Sequence, residues 1–164
     1  MKAKIDVSKK KLINGEPVGN ITAESSNLIS TKVEAEISPR LIDEFPILFV
    51  AASFASGKST FKGLEELKFK ESDRLKTMAD SLKGAGVKLD LKKGSLEVIG
   101  SKTQKGGNYV ITKNDHRIAM SMLTFGLAAE KSIKIDDSSM IKTSFPKFNE
   151  IMNSINARIR NVSK

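Results

Sequence analysis

The chain has 164 residues, of which 39% are hydrophobic, so it is long enough for one globular domain or two small ones. It has no cysteine, which excludes a disulfide framework, a thiolate metal site and a cysteine nucleophile, and its single histidine argues against a histidine-rich metal site. Its formal charge of +9 comes from lysines scattered along the whole chain with few aromatic residues between them, unlike the pattern of a single-strand nucleic-acid binder.

The first third of the chain is predicted to hold short strands and then a long helix. Residues 3–7 (AKIDV) and 20–24 (NITAE) alternate in polarity and predict strands, with the turn-rich segment KKLINGEPVGN between them. Pro39 suits the first position of a helix, and residues 40–55 are apolar enough for a largely buried one.

The rest of the chain alternates strands and helices. Residues 58–64 predict a strand and residues 72–83 a helix, and residues 87–100 form two alternating runs about Lys93-Gly94, which indicates a hairpin. The remaining predicted elements are a strand at 109–113, a helix at 115–130, a strand at 132–136 and a final helix at 145–155. This order predicts an α/β protein.

The apolar segments are too short for a membrane span. The longest of them, residues 47–55, includes a serine, and the N-terminal MKAKIDVSKK has no apolar signal-peptide core. We therefore expect a cytoplasmic protein with neither a membrane nor a nucleic acid as its partner. A solvated lysine-rich surface accounts for the charge, and a phosphorylated small-molecule substrate would also suit it.

A shift of 73 residues brings two parts of the chain into register. Their buried helix positions then coincide: Leu75, Met78, Ala79 and Leu82 with Phe148, Ile151, Met152 and Ile155, and Val50, Phe54 and Ala55 with Leu123, Leu127 and Ala128. Two matching helix faces and the strand between them indicate an internal duplication. Under the same shift Asp43 falls on His116, each in the first turn of a predicted helix.

An unusual charge pattern opens the helix predicted at 72–83. The segment LKFKESDRL places Lys70 and Arg74 where the helix dipole disfavours cations, although Ser72 or Asp73 can cap the free N–H groups. A solvated charged turn is one interpretation. The other is an anion site, where cations and free N–H groups meet. Parallel helices, with their N-termini at one end of the domain, favour the anion site.

Four sequence blocks carry a resemblance to a known family: LIDEFPILFVAASFASG, LKFKESDRL, NDHRIAM and KTSFP, in this order. Together they resemble the C-terminal region of the EPSP synthases, the 3-phosphoshikimate 1-carboxyvinyltransferases, over nearly the whole chain. The resemblance implies transfer of the enolpyruvyl group of phosphoenolpyruvate to the 5-hydroxyl of shikimate 3-phosphate, a step of aromatic amino acid biosynthesis. It implies no metal or organic cofactor, and inhibition by glyphosate at the phosphoenolpyruvate site.

The same resemblance implies the enolpyruvyl transferase fold, in which βαβαββ units with parallel helices build two domains. Residues 1–164 would then be part of the C-terminal domain. Residues 1–32 would be the remnant of one unit, 33–100 a complete unit and 101–164 most of another. The N-terminal domain of the family would be missing and would be the partner of this chain.

The resemblance also assigns roles to site residues. Asp43 would act as base at the 5-hydroxyl, Glu71 as acid–base group near C3 of phosphoenolpyruvate, and His116 as an orienting or proton-sharing group. Arg74 and Arg117 would bind phosphoenolpyruvate, since a guanidinium pairs bidentately with carboxylate or phosphate. Lys70 would contact shikimate 3-phosphate.

Two positions depart from the family pattern. Glu66 stands where some members have a substrate-contacting asparagine, so that role is not carried over. KTSFP is one residue longer than the family's lysine block, which leaves the role of Lys142 in phosphoenolpyruvate binding open. Two alternatives also remain at this point: the UDP-N-acetylglucosamine enolpyruvyl transferase, and a basic RNA-binding module of the same architecture.

Overall fold

The structure, a computed structural model, describes residues 1–162 and contains strands and helices throughout the chain. The strands are β1 (Lys4–Ile13), β2 (Glu16–Glu24), β3 (Lys32–Val33), β4 (Gly57–Lys62), β5 (Lys88–Lys92), β6 (Ser95–Gly100), β7 (Tyr109–Val110) and β8 (Lys134–Ile135). The helices are α1 (Ser38–Leu41), α2 (Phe45–Ser53), α3 (Arg74–Gly84), α4 (His116–Ala128), α5 (Ile141–Ser144) and α6 (Phe148–Ser154). The predicted α/β class is confirmed. The last two residues of the expected unit 101–164 lie outside the described residues.

Strands β1 and β2 form a long antiparallel hairpin at the start of the chain. Its turn is Asn14-Gly15, and both residues have positive φ, as a two-residue hairpin turn requires. The segment predicted as turn-rich is therefore mostly strand, and only its central Asn-Gly forms the turn. Every residue of β1 and β2 is exposed except Val18, which is half-buried.

The main sheet has the strand order β3-β4-β6-β5. β3 runs parallel to β4, whereas β4, β6 and β5 pair antiparallel, with Phe61 of β4 opposite Leu96 of β6. The hairpin predicted about Lys93-Gly94 is confirmed, since β5 and β6 flank these two residues. Phe61, Leu96 and Val98 are buried and give the sheet an apolar face.

Helices α2, α3 and α4 cover this apolar face. Phe49 of α2 packs edge-on against Phe61 at a centroid distance of 5.0 Å, and Phe45 stacks on Phe49 at 5.7 Å. Met78 of α3 and Met122 of α4 are fully buried in the same core. The helices predicted at 72–83 and 115–130 are confirmed to within two residues at each end.

Two predicted helices were wrong in extent because each contains a proline. The helix expected over 40–55 is broken into α1 and α2 just before Pro46, which lacks the N–H that a continuous helix needs and crowds the carbonyl four residues earlier. The helix expected over 145–155 is α6, preceded by the separate turn α5. Phe145 is extended between them because it precedes Pro146.

The strand expected at 109–113 was also wrong in length, since β7 ends at Val110. The chain leaves the strand direction at Lys113 and Asn114, which both have positive φ. This bend directs the next residues to the start of α4, where the candidate site lies.

Two segments share the same order of elements. β3 leads through α1 and α2 to the parallel strand β4 and then α3, and β7 leads through α4 to the parallel strand β8 and then α6. The 73-residue repeat predicts this order. The duplication itself and its boundaries at 32/33 and 100/101 remain a proposal.

Candidate active site

Three helix starts meet at one end of the domain. They are the turn at Asp43 and Glu44 before α2, the segment from Lys70 to Arg74 at the start of α3, and the segment from Asp115 to Arg117 at the start of α4. Side chains of all three segments contact one another. α2, α3 and α4 therefore begin at the same end, which is the arrangement that the sequence predicted for a convergent site.

Arg74 lies at the centre of this cluster and is only 1% exposed. Its Nε donates to Oδ2 of Asp115 at 2.9 Å, and its Nη1 donates to Oδ1 of Asp43 at 3.0 Å. Nη2 donates to Oε2 of Glu71 and, at 3.3 Å, to Oδ1 of Asp115. The guanidinium is thus bound by three carboxylates, in a charge-assisted network that satisfies most of its N–H groups.

Asp115 is fully buried and joins the starts of α3 and α4. Besides binding Arg74, it caps α4 by accepting from the N–H of Arg117 at 2.9 Å, and it accepts from Oγ of Ser72 at 3.0 Å. Sequence reasoning did not select Asp115 as a site residue. The only available signal was an aspartate at the N-cap of a helix that begins with His-Arg, and its pairing with Arg74 spans 41 positions.

Lys70 binds Asp43 on the solvent side of Arg74. Its Nζ lies 3.2 Å from Oδ1 of Asp43 and 3.7 Å from Oε1 of Glu66. Partial burial raises the pKa of the Asp43 carboxyl. The hydrogen bond and charge of Lys70, with the charges of Arg117 and Arg74, outweigh burial and hold that pKa below its usual range. Asp43 is therefore a carboxylate at neutral pH.

Arg117 and His116 lie at the edge of the cluster. Nη1 of Arg117 donates to the main-chain carbonyl of Asp43 at 2.6 Å and to Oε1 of Glu44 at 3.0 Å. Nδ1 of His116 lies 3.8 Å from Oε1 of Glu71, which is too far for a hydrogen bond. Arg117 also lines a groove of about 190 Å³ between the starts of α2 and α4.

The structure brings together six of the seven residues selected from the sequence, and Lys142 is the exception. Asp43 lies in the turn before α2 rather than in a first helical turn, which corrects its expected position. Lys142 lies in the short α5, which precedes the last helix as expected, and is exposed. It has no ion pair within residues 1–162. Asp73, rather than Ser72, caps α3 by accepting from the N–H of Lys76 at 3.1 Å.

The charge balance of the cluster decides what it can bind. Lys70, Arg74 and Arg117 are the cations, and they face five carboxylates: Asp43, Glu44, Glu66, Glu71 and Asp115. An anion can bind to these cations only if it displaces some of the carboxylates, or if further cations from outside the cluster offset their negative charge. Among residues 1–162, no three His, Cys, Asp or Glu side chains are arranged so that they could hold a metal ion together.

The family model that matches this chain is described as EPSP synthase (3-phosphoshikimate 1-carboxyvinyltransferase), and it covers residues 1–152. A 3-phosphoshikimate 1-carboxyvinyltransferase of Pseudomonas sp. (strain PG2982) is 46% identical over 161 residues, which is 97% of this chain and 36% of the relative. The Rhizobium johnstonii protein of the same name is 46% identical over 169 residues, which is 100% of this chain and 37% of the relative.

Solved structures of an EPSP synthase and of a second enolpyruvyl transferase also resemble this chain. An EPSP synthase from Acinetobacter baumannii superposes with a TM-score of 0.87 and 34% identity, over 93% of this chain and 36% of that one. The enolpyruvyl transferase NikO from Streptomyces tendae superposes with a TM-score of 0.67 and 16% identity, over 96% of this chain and 34% of that one, which shows a shared fold. The expected enolpyruvyl transferase fold is confirmed. The chain spans about a third of the length of the curated relatives it matches.

Proposed function

Because the chain belongs to the EPSP synthase family, we propose that it supplies one wall of the active site of a 3-phosphoshikimate 1-carboxyvinyltransferase. The substrates are phosphoenolpyruvate and shikimate 3-phosphate, and the rest of the enzyme supplies the other wall. The observation that carries this proposal is the convergence of Asp43, Lys70, Glu71, Arg74, His116 and Arg117 at the start of three helices. Neither the UDP-N-acetylglucosamine transferase nor an RNA-binding module is favoured by any of these contacts.

The proposed reaction adds and then eliminates across the double bond of phosphoenolpyruvate. The 5-hydroxyl of shikimate 3-phosphate attacks C2 while Asp43 accepts the hydroxyl proton, and C3 receives a proton from Glu71. The tetrahedral adduct then loses a proton from C3 and phosphate from C2, and the departing phosphate takes the proton held by Asp43. Glu71 accepts the proton from C3, and an enolpyruvyl ether remains. His116 lies beside Glu71 and takes the orienting or proton-sharing role once the two side chains move within hydrogen-bond distance.

The cations have to change partners when substrates bind. Arg74 and Arg117 bind the carboxylate and phosphate of phosphoenolpyruvate, and Lys70 contacts shikimate 3-phosphate, in place of the carboxylates that occupy them now. Asp43 is thereby released from the cations that lower its pKa, so its pKa rises and it becomes a stronger base with substrate bound. In the protein without substrates, the carboxylates of the cluster occupy these cations instead.

The proposal also includes where in the cell the protein acts and whether it needs a cofactor. No helix among residues 1–162 has the length and apolar character needed to cross a bilayer. We place the protein in the cytoplasm because a chain without cysteine fits a reducing compartment. The chemistry needs no metal or organic cofactor, since the site's own carboxylates and cations perform each step.

The test is release of phosphate from phosphoenolpyruvate in the presence of shikimate 3-phosphate, with this chain joined to the remaining two-thirds of a family member. We expect turnover that requires both substrates, and a loss of about 10²–10⁴-fold in kcat for Asp43→Asn, the range for removal of a general base. Glu36→Gln is the matched control, because Glu36 is exposed in a turn outside the cluster. Equal turnover of wild type and Asp43→Asn would contradict the assigned role. Absence of turnover in the joined wild type would contradict the function.

A further inference from the structure

Asp115 binds one edge of the Arg74 guanidinium in the interior of the protein. Its two oxygens accept from Nε at 2.9 Å and from Nη2 at 3.3 Å, which is a side-on pair between a carboxylate and a guanidinium. Asp115 is 0% exposed and Arg74 is 1% exposed. A buried ion pair is costly to break, so this contact fixes the direction in which the guanidinium points.

The other edge of the same guanidinium has partners of a different kind. Nη1 donates to Asp43 and Nη2 donates to Glu71, and the side chains of both carboxylates are 45% exposed. Each can turn into solvent and remain hydrated, because nearly half of the side chain already contacts water. Asp115 has no such route. An anion that binds Arg74 therefore displaces Asp43 and Glu71, and Asp115 stays.

Asp115 also fixes the second arginine of the cluster, in this case through the main chain. Its Oδ1 accepts from the N–H of Arg117 at 2.9 Å and from that of Ile118 at 3.4 Å, which caps the start of α4. The first turn of α4 decides where the Arg117 side chain begins, and its Nη1 then reaches the main-chain carbonyl of Asp43. One carboxylate thus links Arg74 and Arg117, the first by charge and the second by the helix cap.

Asp115 is itself held by a neighbouring hydroxyl. Oγ of Ser72, a half-buried residue, donates to Oδ2 at 3.0 Å. Both oxygens of Asp115 therefore accept more than one hydrogen bond, and neither can turn toward a substrate without losing some of them. Among residues 1–162, no ion pair joins Asp115 to Lys70, whose partners are Asp43 and Glu66.

We propose that Asp115 is a positioning residue for phosphoenolpyruvate. It stays paired with Arg74 while the substrate displaces the two exposed carboxylates. It also keeps Arg74 and Arg117 in a fixed relation, so that both can bind the anionic groups of one molecule. This role rests on the proposed function. It does not extend to shikimate 3-phosphate, because Asp115 does not contact Lys70, which binds that substrate in the proposed function.

The test compares the KM values of the joined enzyme for its two substrates. Asp115→Asn keeps one oxygen that can cap α4, but it places an NH₂ group against the guanidinium. We expect the KM for phosphoenolpyruvate to rise at least about tenfold, as for loss of a hydrogen bond to a charged group, and the other KM to change less than about twofold. Asp73→Asn is the matched control, since Asp73 caps α3 without contacting an arginine, and it should change neither value.

A milder variant covers the case in which Asp115→Asn folds poorly. Ser72→Ala removes the hydroxyl that holds Oδ2 of Asp115 and leaves every charge in place. It should raise the KM for phosphoenolpyruvate about threefold, as for loss of a neutral hydrogen bond, and leave the KM for shikimate 3-phosphate unchanged. In an Arg74→Lys background, which lacks the Nε–H that Asp115 binds, the effect of Ser72→Ala should disappear.

Three outcomes would overturn the role of Asp115. They are equal rises in the two KM values, an unchanged KM for phosphoenolpyruvate in both variants, and an effect of Ser72→Ala that is just as large in the Arg74→Lys background. Any of these, in a joined enzyme whose wild type turns over, would leave the proposed function intact. Absence of turnover in the joined wild type would contradict the proposed function, and this role with it.

Discussion

Arg74 is the residue around which the candidate site is organised, because burial forces its charge to be fully paired. At 1% exposure it has little contact with water, and Asp115, itself fully buried, supplies its most sheltered partner. Breaking one side of a buried ion pair leaves an uncompensated charge, which is costly. In the proposed function, Asp115 would therefore be a positioning residue that holds the guanidinium of Arg74 in place.

The first prediction concerns Asp115→Asn, which keeps the shape of the side chain but removes its charge. Since Asp43 and Glu71 still pair with Arg74, we expect a loss of about 2–3 kcal/mol in the free energy of unfolding, measured by urea denaturation. The matched control is Asp73→Asn, a half-buried N-cap where asparagine caps equally well, with almost no change. Similar losses in both variants would show that Asp115 acts only as a helix cap.

The second prediction concerns Arg117→Lys in the joined enzyme. Lysine keeps the charge but loses the planar fork that pairs bidentately with a carboxylate or phosphate. We expect phosphoenolpyruvate to bind about tenfold more weakly, measured by calorimetry. Arg40→Lys, at an exposed position of α1, should bind as the wild type does. An affinity unchanged by Arg117→Lys would remove Arg117 from the site.

At the scale of elements, the site depends on the loop between β7 and α4. Oδ1 of Asp136, just after β8, accepts from the N–H of Thr112 at 3.0 Å and from its hydroxyl at 2.7 Å. The loop then turns through Lys113 and Asn114, both at positive φ, to reach Asp115. Asp136 therefore anchors the bend that presents Asp115, His116 and Arg117 to the starts of α2 and α3.

The third prediction follows from the charge state of Asp136. Burial raises its pKa, but the hydrogen bonds from Thr112 and from the N–H of Asp137 outweigh burial and lower it. A carboxyl with a lower pKa in the folded state adds stability that is present above about pH 4 and is lost as the pH falls through the folded pKa. Asp136→Asn should therefore reduce the acid-induced fall in the urea midpoint, and Thr112→Val should reduce it in part. An unchanged fall in both variants would contradict the anchor.

At the scale of the whole molecule, the chain contains a core and one wall of a site. The core between the main sheet and α2, α3 and α4 is well packed, whereas the hairpin face is uncovered and the site cluster carries more carboxylates than cations. In the proposed function, the rest of the enzyme brings further cations to this cluster.

The fourth prediction is that the 164-residue chain alone has no measurable transferase activity. Fixed orientation of two substrates accounts for about 7–11 kcal/mol of barrier lowering, and a single wall cannot provide it. The measurement is phosphate release that depends on shikimate 3-phosphate, before and after addition of the rest of the enzyme. Turnover by the isolated chain at the rate of the joined enzyme would show that one wall is sufficient.

Much of the fold could be predicted from the sequence because it depends on local patterns. The Lys93-Gly94 hairpin, the helices α3 and α4, and the α/β class follow from alternation, capping and turn residues close together in the chain. The helix breaks before Pro46 and at Pro146 also have a local cause, which is the proline itself. Each proline lies within an apolar run, and that run by itself predicts a continuous helix. The four sequence blocks indicated the family, which the comparisons confirm.

By itself, then, the sequence determined the types of elements, the family and the six residues that come together. Only the tertiary structure decided how they are paired. Arg74 is buried against Asp115, 41 positions away, and a pairing over that distance depends on how α3 and α4 pack, which no local pattern records. The same is true of the hairpin: alternation predicted only the outer parts of its strands, and only the tertiary structure shows that its apolar face has no partner among residues 1–162.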